Sequence, residues 1–241
     1  MSIERSQITV NGLPVQIVRK AIKNLHLGVY PPHGRVRVAA PLRLSDDAVR
    51  LAVVGKLGWI KRQQARFDQQ PRESRREMVS GESHYFLGRR YRLRVIEHDG
   101  SPRIVARNRF IELRVWPGSS DGKRKEVLER WYRHQLKQLI PPLLEKWQTM
   151  LGVALAEWGV KKMKTRWGTC NAEARRIWLN LELVKKPPQC LEYILVHELA
   201  HLLERHHNEH FIAVMDKHLP QWRQCREELN AAPLAHATWK Y

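Results

Sequence analysis

Tyr193-Ile194-Leu195-Val196-His197-Glu198-Leu199-Ala200-His201-Leu202-Leu203 is the stretch on which the reading of this chain turns. It is apolar except for two histidines and one glutamate, the pattern of a buried helix. Residues four apart share a helix face, so His197 and His201 point the same way and can hold one metal ion between them. Glu198 stands beside the first imidazole, within reach of a water at such an ion. Polar groups in an apolar helix are costly without partners, and a zinc ion supplies one. Two imidazoles, an adjacent carboxylate and a nearby third donor point to metal-dependent hydrolysis, most simply of peptide bonds.

A catalytic zinc takes three protein ligands and leaves one position open. The run Glu204-Arg205-His206-His207-Asn208-Glu209-His210 holds the first candidates for the third ligand. A chain that turns back after Leu203 presents His207, and Asn208 suits such a turn. Glu227 or Glu228, from a later helix, is the alternative, and His206, His210 and Glu204 are further donors. Glu204 stands three residues after His201, where the metzincin pattern has glycine. Met215 follows too closely for a Met-turn, so that pattern is not met.

Upstream, Lys164-Thr165-Arg166-Trp167-Gly168-Thr169-Cys170 is followed by Ile177-Trp178-Leu179-Asn180-Leu181, by Pro187-Pro188, and by the helix with His207 and Phe211 beyond it. This order resembles the YgjP-like family of zinc metallopeptidases, relatives of the SprT-like and WSS-type proteases. Thr169 stands where serine is usual in the family's R-W-G-S-C-like loop. The resemblance rests on about residues 160–215. It implies one Zn2+ per chain bound by His197, His201 and His207, with Glu198 as general base and a protein or peptide as substrate. In related proteases a strand in the place of residues 177–181 borders the cleft and pairs with extended substrate, so Trp178 and Asn180 are expected to face that cleft. Arg166 is expected to hold a carboxylate or an oxyanion, or else to serve the fold. Trp167 reads as core packing and Gly168 as a turn. Cys170 has no C-x-x-C partner that would make it a metal ligand.

The 241 residues suffice for one large or two small domains with real cores. The net charge of +19 is uneven: residues 1–150 carry +16 and residues 151–241 carry +3. A cationic surface of that size attracts phosphate backbones, so DNA or a nucleoprotein is a candidate partner of the basic N-terminal region. No zinc-finger, basic-zipper or RNA-recognition signature accompanies the charge. The competing function is a nucleic-acid-associated binding protein whose zinc is structural or regulatory. No apolar run approaches the roughly 20 residues of a membrane span. Met1-Ser2-Ile3-Glu4-Arg5 lacks the apolar segment of a signal peptide, and Cys170, Cys190 and Cys225 form no disulfide framework. A cytoplasmic protein without a membrane partner is expected.

Along the chain, Asn11-Gly12 marks a hairpin between short strands, and further strands are predicted over 25–30 and 35–38. Ser45 caps a helix predicted over 46–67, with Trp59 as a packing residue. Residues 69–77 read as a linker. Strands follow around Gly88, where Arg90, Arg92 and Arg94 alternate with Tyr91, Leu93 and Val95, and again over 110–116. A helix is expected over 123–151, kinked or split at Pro141-Pro142. Helical stretches over 211–218 and 222–229 precede a loose tail over 231–241. No internal repeat is visible. The expected fold is α+β: a basic strand-rich region over 1–120, then a mostly helical zincin-like metallopeptidase domain over 121–241 carrying the H-E-x-x-H helix.

Overall fold

The computed structural model describes residues 4–30, 34–69, 76–163 and 166–231. The predicted linker (in part) and the tail beyond Ala231 lie outside them. The protein is mixed α and β, with a sheet-rich N-terminal region and a helical C-terminal part. It forms two compact units that divide at residue 71, each with its own apolar cluster.

In the first unit, β1 (Glu4–Val10) and β2 (Leu13–Lys20) form the predicted hairpin. Asn11 and Gly12 take φ of 48° and 77°, as a tight two-residue turn demands. With β3 (His26–Tyr30) and β4 (Arg35–Pro41) they make a sheet in the order β1-β2-β4-β3. Alternation sends Val15, Ile17, Val36 and Val38 inward onto Val49, Val53 and Ile60. The predicted single helix is two, α1 (Asp46–Val54) and α2 (Leu57–Gln69). Ser45 Oγ accepts from the Ala48 N–H at the start of α1, and Gly55 ends it.

The second unit opens with β5 (Ser83–Phe86), β6 (Arg89–Glu97), β7 (Arg103–Arg107) and β8 (Phe110–Val115), in the order β5-β6-β8-β7. Each sheet has two antiparallel outer pairs and a parallel central pair. Leu87 and Gly88 occupy the first turn with φ of 49° and 77°, nearly the values of Asn11 and Gly12. A serine-capped helix follows each sheet, after Ser45 and after Ser120. The chain thus repeats one topology that its residues do not reveal.

That second helix, α3 (Asp121–Leu151), is unbroken through Pro141 and Pro142. Both prolines are exposed, as are Lys137 and Gln138, so the two carbonyls that lose N–H partners face water. On the opposite side Leu128, Tyr132, Leu136, Ile140, Leu144, Trp147 and Leu151 are buried. That stripe spans the prolines and packs into the core shared with the apolar face of β6 and β8. The sheet predicted to belong with the N-terminal region therefore packs with α3, and the compact units divide some fifty residues before the expected 120/121 boundary.

A three-stranded sheet in the order β10-β11-β9 follows, from β9 (Glu157–Lys161), β10 (Gly168–Asn171) and β11 (Arg176–Asn180). A 3-10 turn (Leu181–Lys185) leads to α4 (Pro188–Ala200), then α5 (Glu209–His218) and α6 (Trp222–Ala231). Among the described residues no helix is long and apolar enough to cross a membrane.

Candidate metal centre

Pro188 starts α4, where its missing N–H has no intrahelical acceptor to lose. The helix is buried on nearly every side, through Leu191, Ile194, Leu195, Val196, Leu199 and Ala200. It ends at His201, and the following residues turn until Asn208 Oδ1 accepts from the Phe211 N–H and starts α5. This turn brings His207 back over the end of α4. Its Nε2 lies 3.0 Å from His197 Nε2 and 3.1 Å from His201 Nε2. Phe211 packs against all three imidazoles, with ring centroids 4.8–5.0 Å away.

A proton on His207 Nε2 can bridge to one of the other two nitrogens, whereas a metal ion between them would engage all three. Zinc–nitrogen bonds of about 2.0–2.1 Å in a tetrahedral site place ligand nitrogens about 3.3 Å apart, close to the separations here. The Glu204 carbonyl, 3.1 Å from His201 Nδ1, can only accept. Nδ1 therefore carries the proton, and the Nε2 lone pair points into the cluster. His197 is driven down to about 3 by burial first, then by His201 and His207, so its ring is neutral. Its Nδ1 is buried with no hydrogen bond among the described residues. Among those residues no fourth His, Cys, Asp or Glu joins the three.

The other donors considered from the sequence are placed elsewhere. Glu204 accepts from the His206 N–H and pairs with His210 at 3.6 Å. Glu228 sits at the far end of α4, 3.3 Å from Gln189 Nε2 and 3.7 Å from Cys190 Sγ. Glu227 is exposed on α6.

Glu198 is buried at 5% exposure, next to β10. A Cβ on Gly168 would lie 2.7 Å from Glu198 Cγ and 2.8 Å from its Cδ. Gly168 is therefore not a turn residue: it begins a strand, and its missing side chain lets the backbone lie against the carboxylate. Burial pushes the Glu198 carboxyl up to about 8, against the opposing pull of Arg166.

Arg166 is exposed, and its backbone carbonyl is held by Asn180. Asn180 itself is 4% exposed. Its Nδ2 donates to the Met163 and Arg166 carbonyls at 2.9 and 2.7 Å, and its Oδ1 accepts from the Met163 and Glu182 N–H groups, each at 3.2 Å. Those bonds occupy the side chain with the loop rather than with a cleft. Trp178 lies on the sheet face opposite Gly168 and Glu198, flat over Gly159 with Lys161 Nζ 3.5 Å from its ring centroid. The strand beside Glu198 is β10, an edge strand, not the central β11 on which Trp178 and Asn180 stand.

Three convergent imidazoles, on and just after the buried helix that also carries Glu198, form a group able to hold a metal ion. Comparison with known proteins gives the family: residues 23–232 match the family described as YgjP-like, metallopeptidase domain. The chain belongs to the YgjP-like metallopeptidases, a family whose chemistry implies a divalent metal and a protein or peptide substrate. The match reaches far beyond residues 160–215. No curated protein matches the chain. The crystal structure of the metallopeptidase zymogen of Pyrococcus abyssi abylysin is similar at 22% identity, with a TM-score of 0.35, over 36% of this chain and 89% of that one.

Proposed function

We propose that this metallopeptidase is zinc-dependent, with one Zn2+ per chain on Nε2 of His197, His201 and His207 and with Glu198 as general base. The convergence of the three Nε2 atoms at the end of the helix that carries Glu198 next to His197 carries this reading. A metal bound there acidifies water and polarises a carbonyl. The absence of a fourth donor among the described residues supports a site with an open position, and so turnover rather than a structural role.

Glu198 takes the proton of the attacking water and passes it to the departing amine. β10 has one free edge among the described residues, and extended substrate adds to that edge as a further strand. Arg166, exposed two residues before that strand, holds a substrate carboxylate or carbonyl in this reading. Asn180 acts behind it by fixing the loop. The three free cysteines, two of them buried, suit the reducing cytoplasm.

The test pairs metal content with casein cleavage for the wild type and Glu198→Gln. One zinc in both proteins, with cleavage reduced at least about 1,000-fold in the variant, is the expected result. Equal cleavage by both would remove Glu198 from the chemistry. Zinc without cleavage by either would point to the structural-zinc alternative.

A further inference from the structure

The outer face of the second sheet has no part in the peptidase reading. Between residues 76 and 120 the chain has nine arginines and no lysine. The strand register places six of them on one side of the sheet. Arg92 stands beside Phe110, and Phe110 beside Arg107. Arg94 stands beside Glu112, and Arg114 beside Arg103. Arg90 pairs with Tyr85 at the edge. Arg90, Arg92, Arg94, Arg103 and Arg107 are exposed, as are Tyr85 and Val105 on the same face.

One carboxylate organises the centre. Glu112 is 5% exposed, with Arg94, Arg107 and Arg114 at 3.7, 3.3 and 3.5 Å. The Arg94 guanidinium also lies over Phe110, 4.3 Å from the ring centroid. Glu112 answers one of six positive charges. The guanidinium groups of Arg90, Arg92 and Arg103 make no hydrogen bond or ion pair among the described residues.

The topology does not require this. In the first sheet, which has the same strand order and pairing, the central outer positions are Gln16 beside Arg37 and Val18 beside Ala39. Along β6 the arginines follow one another at about 6.8 Å, a ladder of planar forks at the strand repeat. Arginine used without lysine suits an acceptor that takes two parallel hydrogen bonds, as phosphate does. Flat rings and apolar surface between the forks suit unstacked bases.

We propose that the outer face of the β5–β8 sheet binds single-stranded nucleic acid, with Arg90, Arg92 and Arg103 on phosphates and Tyr85 and the Arg94–Phe110 pair beneath the bases. This surface is independent of the metal centre, and its test reads binding alone.

The test uses full-length protein and fluorescein-labelled 20-mers of single-stranded DNA and RNA, followed by anisotropy from 50 to 300 mM NaCl. Wild type is compared with Arg90→Ala/Arg92→Ala/Arg103→Ala, with circular dichroism and casein cleavage as folding controls. The expected result is wild-type binding that weakens with salt. The triple variant should bind at least tenfold more weakly at 100 mM salt, with the slope of log K against log salt reduced by about 2. RNA and DNA arms of unequal strength would name the preferred backbone. Should the triple variant misfold, Arg103→Glu on the edge strand β7 replaces it and is expected to weaken binding in the same direction. No wild-type binding at 50 mM salt overturns the proposal. So does a variant that binds as well as wild type, because the contact then lies on another basic surface. Equal competition by poly-glutamate overturns it in favour of an acidic protein partner.

Discussion

At Gly168 a single absent methyl group leaves room for the Glu198 carboxylate, the proposed general base. The Cβ of an alanine there would overlap Glu198 Cγ and Cδ, and the backbone behind it is tied into a strand, so the carboxylate has to move. Gly168→Ala should retain zinc and lose activity by about 100-fold, since a displacement near 1 Å costs that much. Metal analysis beside casein cleavage checks it, and full activity would detach Gly168 from the site. Asn180 predicts differently, because four hydrogen bonds at about 1 kcal/mol each tie it to Met163, Arg166 and the start of the 3-10 turn. Asn180→Ala should lower stability to urea by about 2–4 kcal/mol. It should impair substrate use through Arg166 while leaving zinc in place. If stability is unchanged, the loop is anchored by other contacts.

The metal-free protein should show two opposed pH limbs. The Glu198 carboxyl is raised from its ordinary 4.5 to about 8, so its contribution to stability is present below 4.5 and lost as pH rises to 8. His197 is lowered from 6.5 to about 3, so its contribution is full above 6.5 and lost as pH falls to 3. Between pH 6.5 and 8 only the Glu198 limb acts, at up to about 1.4 kcal/mol per unit. Urea midpoints of the metal-free wild type should therefore fall from pH 6.5 to 8, and those of Glu198→Gln should stay flat. A slope shared by both would assign it to another group. Gly168 and Asn180 had no signal in the sequence that separated close approach and loop anchoring from a turn and a cleft residue. The histidines did, because their spacing alone fixes a shared face.

At the scale of elements, α3 and α4 differ in how they were legible. The apolar run of α4 marks a buried helix, and the structure places it there. α3 carries two prolines that read locally as a break, yet the buried stripe from Leu128 to Leu151 continues through them. Burying that stripe outweighs two lost hydrogen bonds whose carbonyls meet water. Ile140→Ala, one residue before the prolines, should cost about 2–5 kcal/mol, measured by denaturant unfolding. A cost below about 1 kcal/mol would mean that the helix is held elsewhere. The four-residue β10 was not legible, since so short a strand has no usable period. The strand expected at the cleft was its neighbour β11, whose clear alternation comes from one apolar face, with Ile177 and Leu179 in the core.

Across the whole molecule, two separate apolar clusters imply two unfolding events. Calorimetry should resolve two transitions. Val38→Ala, in the first cluster, should lower one of them, and Ile140→Ala, in the second, the other. A single transition moved by both substitutions would join the units thermodynamically. The sequence by itself determined the α+β class, the Asn11-Gly12 hairpin, the Ser45 cap and the shared face of His197 and His201, because each rests on interactions within a few residues. Tertiary structure decided what depends on distant segments meeting. It laid Gly168 against Glu198 and joined the second sheet to α3. It also aligned six arginines on one face by strand register. Local spacing carries no information about such meetings, which are set by how apolar faces far apart in the chain bury one another.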